Sequence, residues 1–103
     1  MVVLDRLENE ALHHLLRLID EASSPPRPRA DVTRLSRGMD GHVIVPFAVD
    51  ADEPSLPLAL LAARKAEQVH KQTGCRFIVA QQPSRDPEQR TYVWGEGRWE
   101  TVP

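Results

Sequence analysis

The chain has 103 residues, with 13 lysines and arginines against 15 aspartates and glutamates, nine prolines and one cysteine. This length fits a single domain over residues 1–103, and the lone Cys75 excludes an internal disulfide framework and a four-cysteine zinc site. A formal net charge of −2 argues against a generic polyanion binder. No apolar run approaches the roughly 20 residues of a membrane helix, and residues 1–6 do not form a signal peptide, so we expect a cytoplasmic protein without membrane contact. Arginine outnumbers lysine eleven to two, which is typical of a GC-rich bacterial genome.

A first helix is predicted over residues 4–22, where leucines and alanines recur every three or four positions. Leu12, Leu16 and Ile19 widen this apolar stripe to about half of the helix circumference, more than the ~100° that docking on one surface requires. We therefore predict that these three residues, with the bordering His14, form the interface of a homodimer. The alternative is a deep groove in the protein's own sheet that covers the same side chains.

Residues 23–30 contain three prolines and are predicted to form a stiff connector inside the domain. They also match a loose PxxP ligand pattern, which we consider the weaker interpretation. Residues 31–37 form either a short helical turn or an irregular edge strand. A turn at 38–41 then leads into a β-branched strand over 42–49. Because Pro46 has no N–H, this strand has to lie at an edge there or carry a bulge.

A second helix is predicted from Ser55 to Thr73. Ser55 suits the N-cap, Pro57 is tolerated in the first turn, and Gly74 suits a left-handed residue after the last turn. Small and apolar residues recur along one side of this helix, which favours close packing on a sheet.

Three further strands are predicted over 75–80, 90–94 and 98–102. If Glu96-Gly97 is the turn between the last two, Trp94 and Trp99 lie directly opposite each other. The resulting fold class is α+β, with two helices packed on an antiparallel sheet of about five strands in the order α-β-β-α-β-β-β.

Sites for chemistry are weak in this sequence. Cys75 follows a helix end, whose negative dipole disfavours a thiolate, so we interpret it as a core residue rather than a nucleophile. Neighbouring His13 and His14 diverge by about 100° on a helix and cannot chelate one ion together. The acidic residues at 50, 52 and 53 precede a helix, where carboxylates complement the dipole, although they could also hold magnesium. We predict no cofactor and no structural metal.

A basic patch is the main alternative to a protein interface. Arg27, Arg29, Arg34 and Arg37 give residues 23–41 a net charge of +2, since Asp31 and Asp40 oppose them. Together with the aromatic side chains of the last hairpin, these arginines could bind single-stranded nucleic acid through phosphates and stacked bases. The aromatic residues concerned are Tyr92, Trp94 and Trp99.

The hypothesis we favour is a non-catalytic protein-interaction or assembly module that acts as a homodimer. The alternatives are a nucleic-acid-binding domain that uses the basic patch, and a small enzyme that uses Cys75 or the Asp50, Asp52 and Glu53 cluster.

Overall fold

The structure is a computed structural model, which describes residues 2–102. Two helices, α1 (Arg6–Ala22) and α2 (Leu56–Thr73), pack on one face of a six-stranded mixed sheet. The strands are β1 (Arg29–Ala30), β2 (Ser36–Arg37), β3 (Val43–Val49), β4 (Phe77–Pro83), β5 (Thr91–Gly95) and β6 (Arg98–Val102). The predicted α+β class is confirmed, and the order of elements matches except that three strands, not two, precede α2.

Helix α2 begins and ends at the predicted caps, whereas α1 begins two residues later than predicted, after an N-cap at Asp5. At the start of α1, Asp5 accepts a hydrogen bond from the Glu8 N–H at 2.8 Å, and Glu8 accepts one from the Asp5 N–H at 3.2 Å. This reciprocal capping box satisfies two N–H groups that the helix itself cannot pair. The Ser55 hydroxyl caps α2 by accepting from the Leu58 N–H at 3.3 Å. Gly74 ends α2 with a φ of 79°, which glycine adopts without steric cost.

The expected antiparallel arrangement is wrong for one pair of strands, because β3 and β4 are parallel. Helix α2 connects them and runs for 18 residues, or roughly 27 Å. This length returns the chain to the end of the sheet at which β3 begins, so that β4 can run in the same direction. A seven-residue strand such as β3 or β4 has about the same length as this helix. All other pairs in the sheet order β1-β3-β4-β5-β6 are antiparallel, and β2 also pairs with β3.

Pro46 lies where the outer edge of β3 is broken. Strands β1 and β2 pair with its two ends, and a 3₁₀ turn over Val32–Arg34 separates them. The Pro46 carbonyl accepts from the Asp31 N–H at 2.8 Å. Since the N and C=O of a strand residue point to the same side, the N–H that proline lacks would face this break and not β4. Residues 31–37 thus contain both predicted alternatives, a helical turn followed by a two-residue edge strand.

The hydrophobic core lies between the helices and the sheet. Its buried members are Ala11, Leu12, Leu15, Ile19, Val43, Val45, Phe47, Leu58, Ala62, Ala66, Val69 and Phe77. The strand residues in this set alternate along β3, so one face of the sheet meets both helices. Strands β5 and β6 pack beside β4 and extend past the helical layer. The helices therefore cover only part of the sheet.

Candidate functional site

One cavity, which we call the strand-end groove, has a volume of about 690 Å³. It lies between the end of α1, the proline connector, the last residues of β3 and the first turns of α2. Its lining combines apolar and small side chains with a few polar ones: Ala22, Ser23, Ser24, Pro26, Arg27, Pro28, Arg29, Ala48, Val49, Asp50, Ser55, Pro57, Leu58, Leu61 and Ser84. Two of the predicted basic residues and one of the predicted acidic residues therefore share one groove.

Several polar groups of the strand-end groove are already bonded. Arg27 pairs with Asp20 of α1 at 3.3 Å, and the Ser84 hydroxyl donates to Asp50 at 3.3 Å. Ser23 donates to the carbonyl of Ile19 at 2.6 Å. These contacts hold the connector and the strand ends in place around the groove.

Gln81 fixes the α2 side of the groove from the centre of the sheet. Its side chain is 1% exposed. The amide oxygen accepts from the Ser55 N–H at 2.6 Å, and the amide nitrogen donates to the Ser55 carbonyl at 2.8 Å. The sequence did not predict this pair of hydrogen bonds to the Ser55 backbone, because Gln81 stands at the border of a polar loop. With Pro57 lacking an N–H and Ser55 capping Leu58, the start of α2 has little left to offer an anion.

The proposed nucleic-acid patch is divided by the fold. Arg34 pairs with Asp31 at 3.3 Å, and Arg37 donates to both carboxylate oxygens of Glu8, at 2.9 and 3.1 Å. The latter contact raises the pKa of Arg37 and lowers the pKa of Glu8. These arginines lie at the β1/β2 edge of the sheet, three strand spacings or roughly 14 Å from β5. Arg34 and Arg37 therefore lie at the opposite end of the strand order from the aromatic rings.

The aromatic residues of the last hairpin form a half-buried strip, which we call the hairpin strip: Tyr92, Trp94 and Trp99. The predicted turn at Glu96-Gly97 and the opposition of Trp94 and Trp99 are confirmed by the register and by positive φ angles of 53° and 76°. The two indoles meet edge to face with centroids 4.9 Å apart. A smaller groove of about 270 Å³ separates Trp94 from the alanines of α2. The strip thus lies on the helix side of the sheet but beyond the helices.

Asp86 organises the loop before this hairpin and was also missed from the sequence. It is 3% exposed and accepts hydrogen bonds from the N–H groups of Glu88 and Arg90, the Arg90 guanidinium and the Tyr92 hydroxyl, at 3.0 to 3.3 Å. Arg90 also lies 5.4 Å from the centre of the Tyr92 ring. An aspartate four residues before an arginine in a proline-rich loop is the only sequence signal for this cluster.

We expect the stability of the fold to fall between about pH 4 and pH 2 through Asp86. The Arg90 guanidinium, with the surrounding N–H and hydroxyl donors, lowers the pKa of Asp86 from 3.8 to about 2. Because the folded-state pKa is depressed, the stabilisation is complete above the ordinary pKa and is lost as pH falls through the folded one. Asp86→Asn should lower the Tm at pH 7 by several degrees and flatten this part of the pH profile. An unchanged profile in urea unfolding would contradict the assignment.

The remaining polar candidates are held by neighbouring side chains. Asp50 and Asp52 face Arg85, whose Nε lies 3.8 and 3.6 Å from their carboxylates, and Glu53 is exposed. Among residues 2–102, no group of three His, Cys, Asp or Glu side chains is placed to hold a metal ion. Cys75 is half-buried and packs against the core.

Of the predicted interface residues of α1, Leu12 and Ile19 are buried within the subunit, and Leu16 and His14 are partly buried. Leu12 and Ile19 are 3% and 1% exposed, and Leu16 packs against the same core while lining a small surface pocket. His14 contacts Gln72 of α2 at 3.0 Å and Arg17 at 3.1 Å. The second surface that the wide apolar stripe of α1 needs is therefore helix α2, and burial of these residues does not require a second copy.

Neither helix in the described part of the chain is both long and apolar enough to cross a bilayer. Comparison of the chain with protein-family models, with curated proteins and with solved structures finds no match, so its function has to be inferred from its own residues.

Proposed function

We propose that the protein is a non-catalytic interaction module that forms a homodimer through β6. The observation that carries the proposal is an unpaired edge strand beside a half-buried aromatic strip. β6 ends the strand order of the sheet, and an exposed edge presents N–H and C=O groups that can pair with another strand. The dimer predicted from α1 is thereby relocated to the opposite side of the fold.

The hairpin register determines which backbone groups are free. The two-residue turn makes Gly95 and Arg98 the closing hydrogen-bonded pair. Hydrogen-bonded and non-bonded pairs alternate along an antiparallel ladder, so the backbone groups of Trp99 and Thr101 point away from β5. These two residues therefore provide the donors and acceptors for a second copy of β6.

Charge favours one pairing register between two copies. In a twofold antiparallel pair centred on Trp99, the two Trp99 indoles lie opposite each other and each Arg98 lies opposite Glu100 of the second copy. Each Thr101 then lies opposite Gly97 of the second copy and forms the outer hydrogen-bonded pair of the shared ladder. This arrangement extends the Trp94–Trp99 pair to four indoles. Arg98 pairs with Glu100 of its own strand at 3.0 Å, and in the dimer it also faces Glu100 of the second copy, so the four charges alternate in sign. Centring the pair on Glu100 instead places two carboxylates face to face, which is unfavourable. A five-residue edge buries less than a standard interface, so we expect micromolar affinity.

Sedimentation velocity across the micromolar range tests the proposal. We expect the wild type to shift from monomer to dimer as its concentration rises. Thr101→Pro should remain monomeric with a nearly unchanged Tm, because proline removes an N–H that points to solvent in the monomer. Thr101→Val is the matched control and should dimerise like the wild type. A wild type that stays monomeric throughout, or a Thr101→Pro variant that dimerises equally, would overturn the proposal.

Charge reversal tests the register. Arg98→Glu places a carboxylate opposite Glu100 of the second copy. The dimer loses the attraction between Arg98 and Glu100 and gains a repulsion between two carboxylates, so its affinity should fall about tenfold or more. The double variant Arg98→Glu/Glu100→Arg should recover wild-type affinity. If Glu100→Gln strengthens the dimer, the pair is centred on Glu100 and the register is wrong.

A further inference from the structure

We propose that the strand-end groove binds an amphipathic carboxylate, a small molecule with an apolar body and one carboxylate group. The groove's volume of about 690 Å³ lies within the roughly 300–1,000 Å³ typical of small-molecule sites. It opens at the carboxyl ends of β3 and β4, the parallel pair that α2 connects. Ligands of open α/β sheets commonly bind at this end.

The walls of the groove favour an apolar body. Pro26 and Pro28 of the connector face the α2 side, which contributes Pro57, Leu58 and Leu61. Prolines hold the connector wall with little conformational freedom to lose on binding. The hydroxyl protons of Ser23 and Ser84 are donated to the Ile19 carbonyl and the Asp50 carboxylate, so neither hydroxyl offers a free donor to a ligand.

Charge complementarity selects the anion. Arg27 has one ion pair, to Asp20 at 3.3 Å, and Arg29 has none among residues 2–102. A guanidinium carries five N–H donors in a planar fork, so both arginines retain donors that match a carboxylate. The groove's only carboxylate, on Asp50, faces Arg85 and Ser84. A mostly apolar lining penalises the larger desolvation of a doubly charged phosphate and so favours a singly charged carboxylate.

Calorimetric titration with decanoate below its micelle concentration tests this assignment, with decanol and decyltrimethylammonium as probes of equal chain length. We expect one decanoate site, about tenfold weaker binding of decanol because the charge-assisted hydrogen bonds are lost, and no binding of the cation. Arg29→Gln should reduce decanoate affinity towards that of decanol, and Leu61→Asp should abolish it. Arg64→Gln, an exposed change on α2 outside the groove, is the matched control.

The Thr101→Pro variant should bind decanoate as the wild type does, which separates this site from the proposed dimer. Amide chemical-shift changes on addition of decanoate should map to residues 22–29, 48–50 and 55–61. Equal affinity for decanol and decanoate, wild-type affinity in Arg29→Gln, or shifts confined to the hairpin strip would each overturn the proposal.

Discussion

Replacing Leu15 with alanine should lower the free energy of unfolding by about 2–5 kcal/mol. Leu15 is 0% exposed and lies in the middle of α1, where the core of helices and sheet meets. The truncation removes buried apolar area and leaves a cavity that the two helices and β3 close only in part. Domains of this size have about 5–15 kcal/mol in total, so the loss is a large fraction of the stability.

Leu7→Ala is the matched control for Leu15, because it makes the same chemical change on the same helix. Leu7 is 52% exposed, and we expect its substitution to change the free energy of unfolding by less than about 1 kcal/mol. Urea unfolding followed by circular dichroism measures both variants. Equal losses at the two positions would mean that α1 does not present its Leu15 face to the core.

Gln81→Met should lower the free energy of unfolding by about 2–4 kcal/mol, since two part-buried backbone groups lose their partners at about 1–2 kcal/mol each. Methionine has nearly the size and flexibility of glutamine, so the change removes hydrogen bonds with little loss of packing. The N–H and C=O of Ser55 are the groups left unpaired. Because Ser55 caps α2 beside the strand-end groove, decanoate affinity should fall as well.

Gln82→Met provides the comparison for Gln81. Gln82 is the next residue of β4, is half-buried and donates to the Thr91 hydroxyl at 3.1 Å, where water can replace it. We expect a loss of about 1 kcal/mol or less from this variant. Thermal and urea unfolding of the two variants measures the difference, and a loss at Gln82 as large as that at Gln81 would contradict the buried role of Gln81.

Much of the candidate surface at the hairpin could be predicted because it depends on neighbours in the chain. Glu96-Gly97 supplies the positive φ angles of a tight turn, and the turn sets the register that places Trp94 opposite Trp99. Whether helices cover these indoles depends on the width of the helical layer. The alternation of residues along a strand gives no information about that width. The strip was therefore predicted as a pair of rings but not as a surface beyond the helices.

The strand-end groove could not be predicted from the sequence, although three of its residues belong to the predicted basic and acidic clusters. Arg27, Arg29 and Asp50 were assigned to separate basic and acidic clusters, since they lie about 20 residues apart in the chain. These residues come together because β1, a strand of only two residues, pairs with the end of the longer β3. Short edge strands carry almost no sequence signal, because their pairing is decided by the strand they meet.

The amino-acid sequence by itself determined the limits of α2 at Ser55 and Gly74, the tight turn of the last hairpin and the α+β class, because capping, turn geometry and periodicity act over a few residues. Only the tertiary structure decided that β3 and β4 run parallel, that α2 covers the wide apolar stripe of α1, and that Gln81 bonds to Ser55. These outcomes depend on which elements meet across 26 or more residues. These long-range contacts are determined by the burial and hydrogen bonding of the whole chain, so no local sequence pattern predicts them.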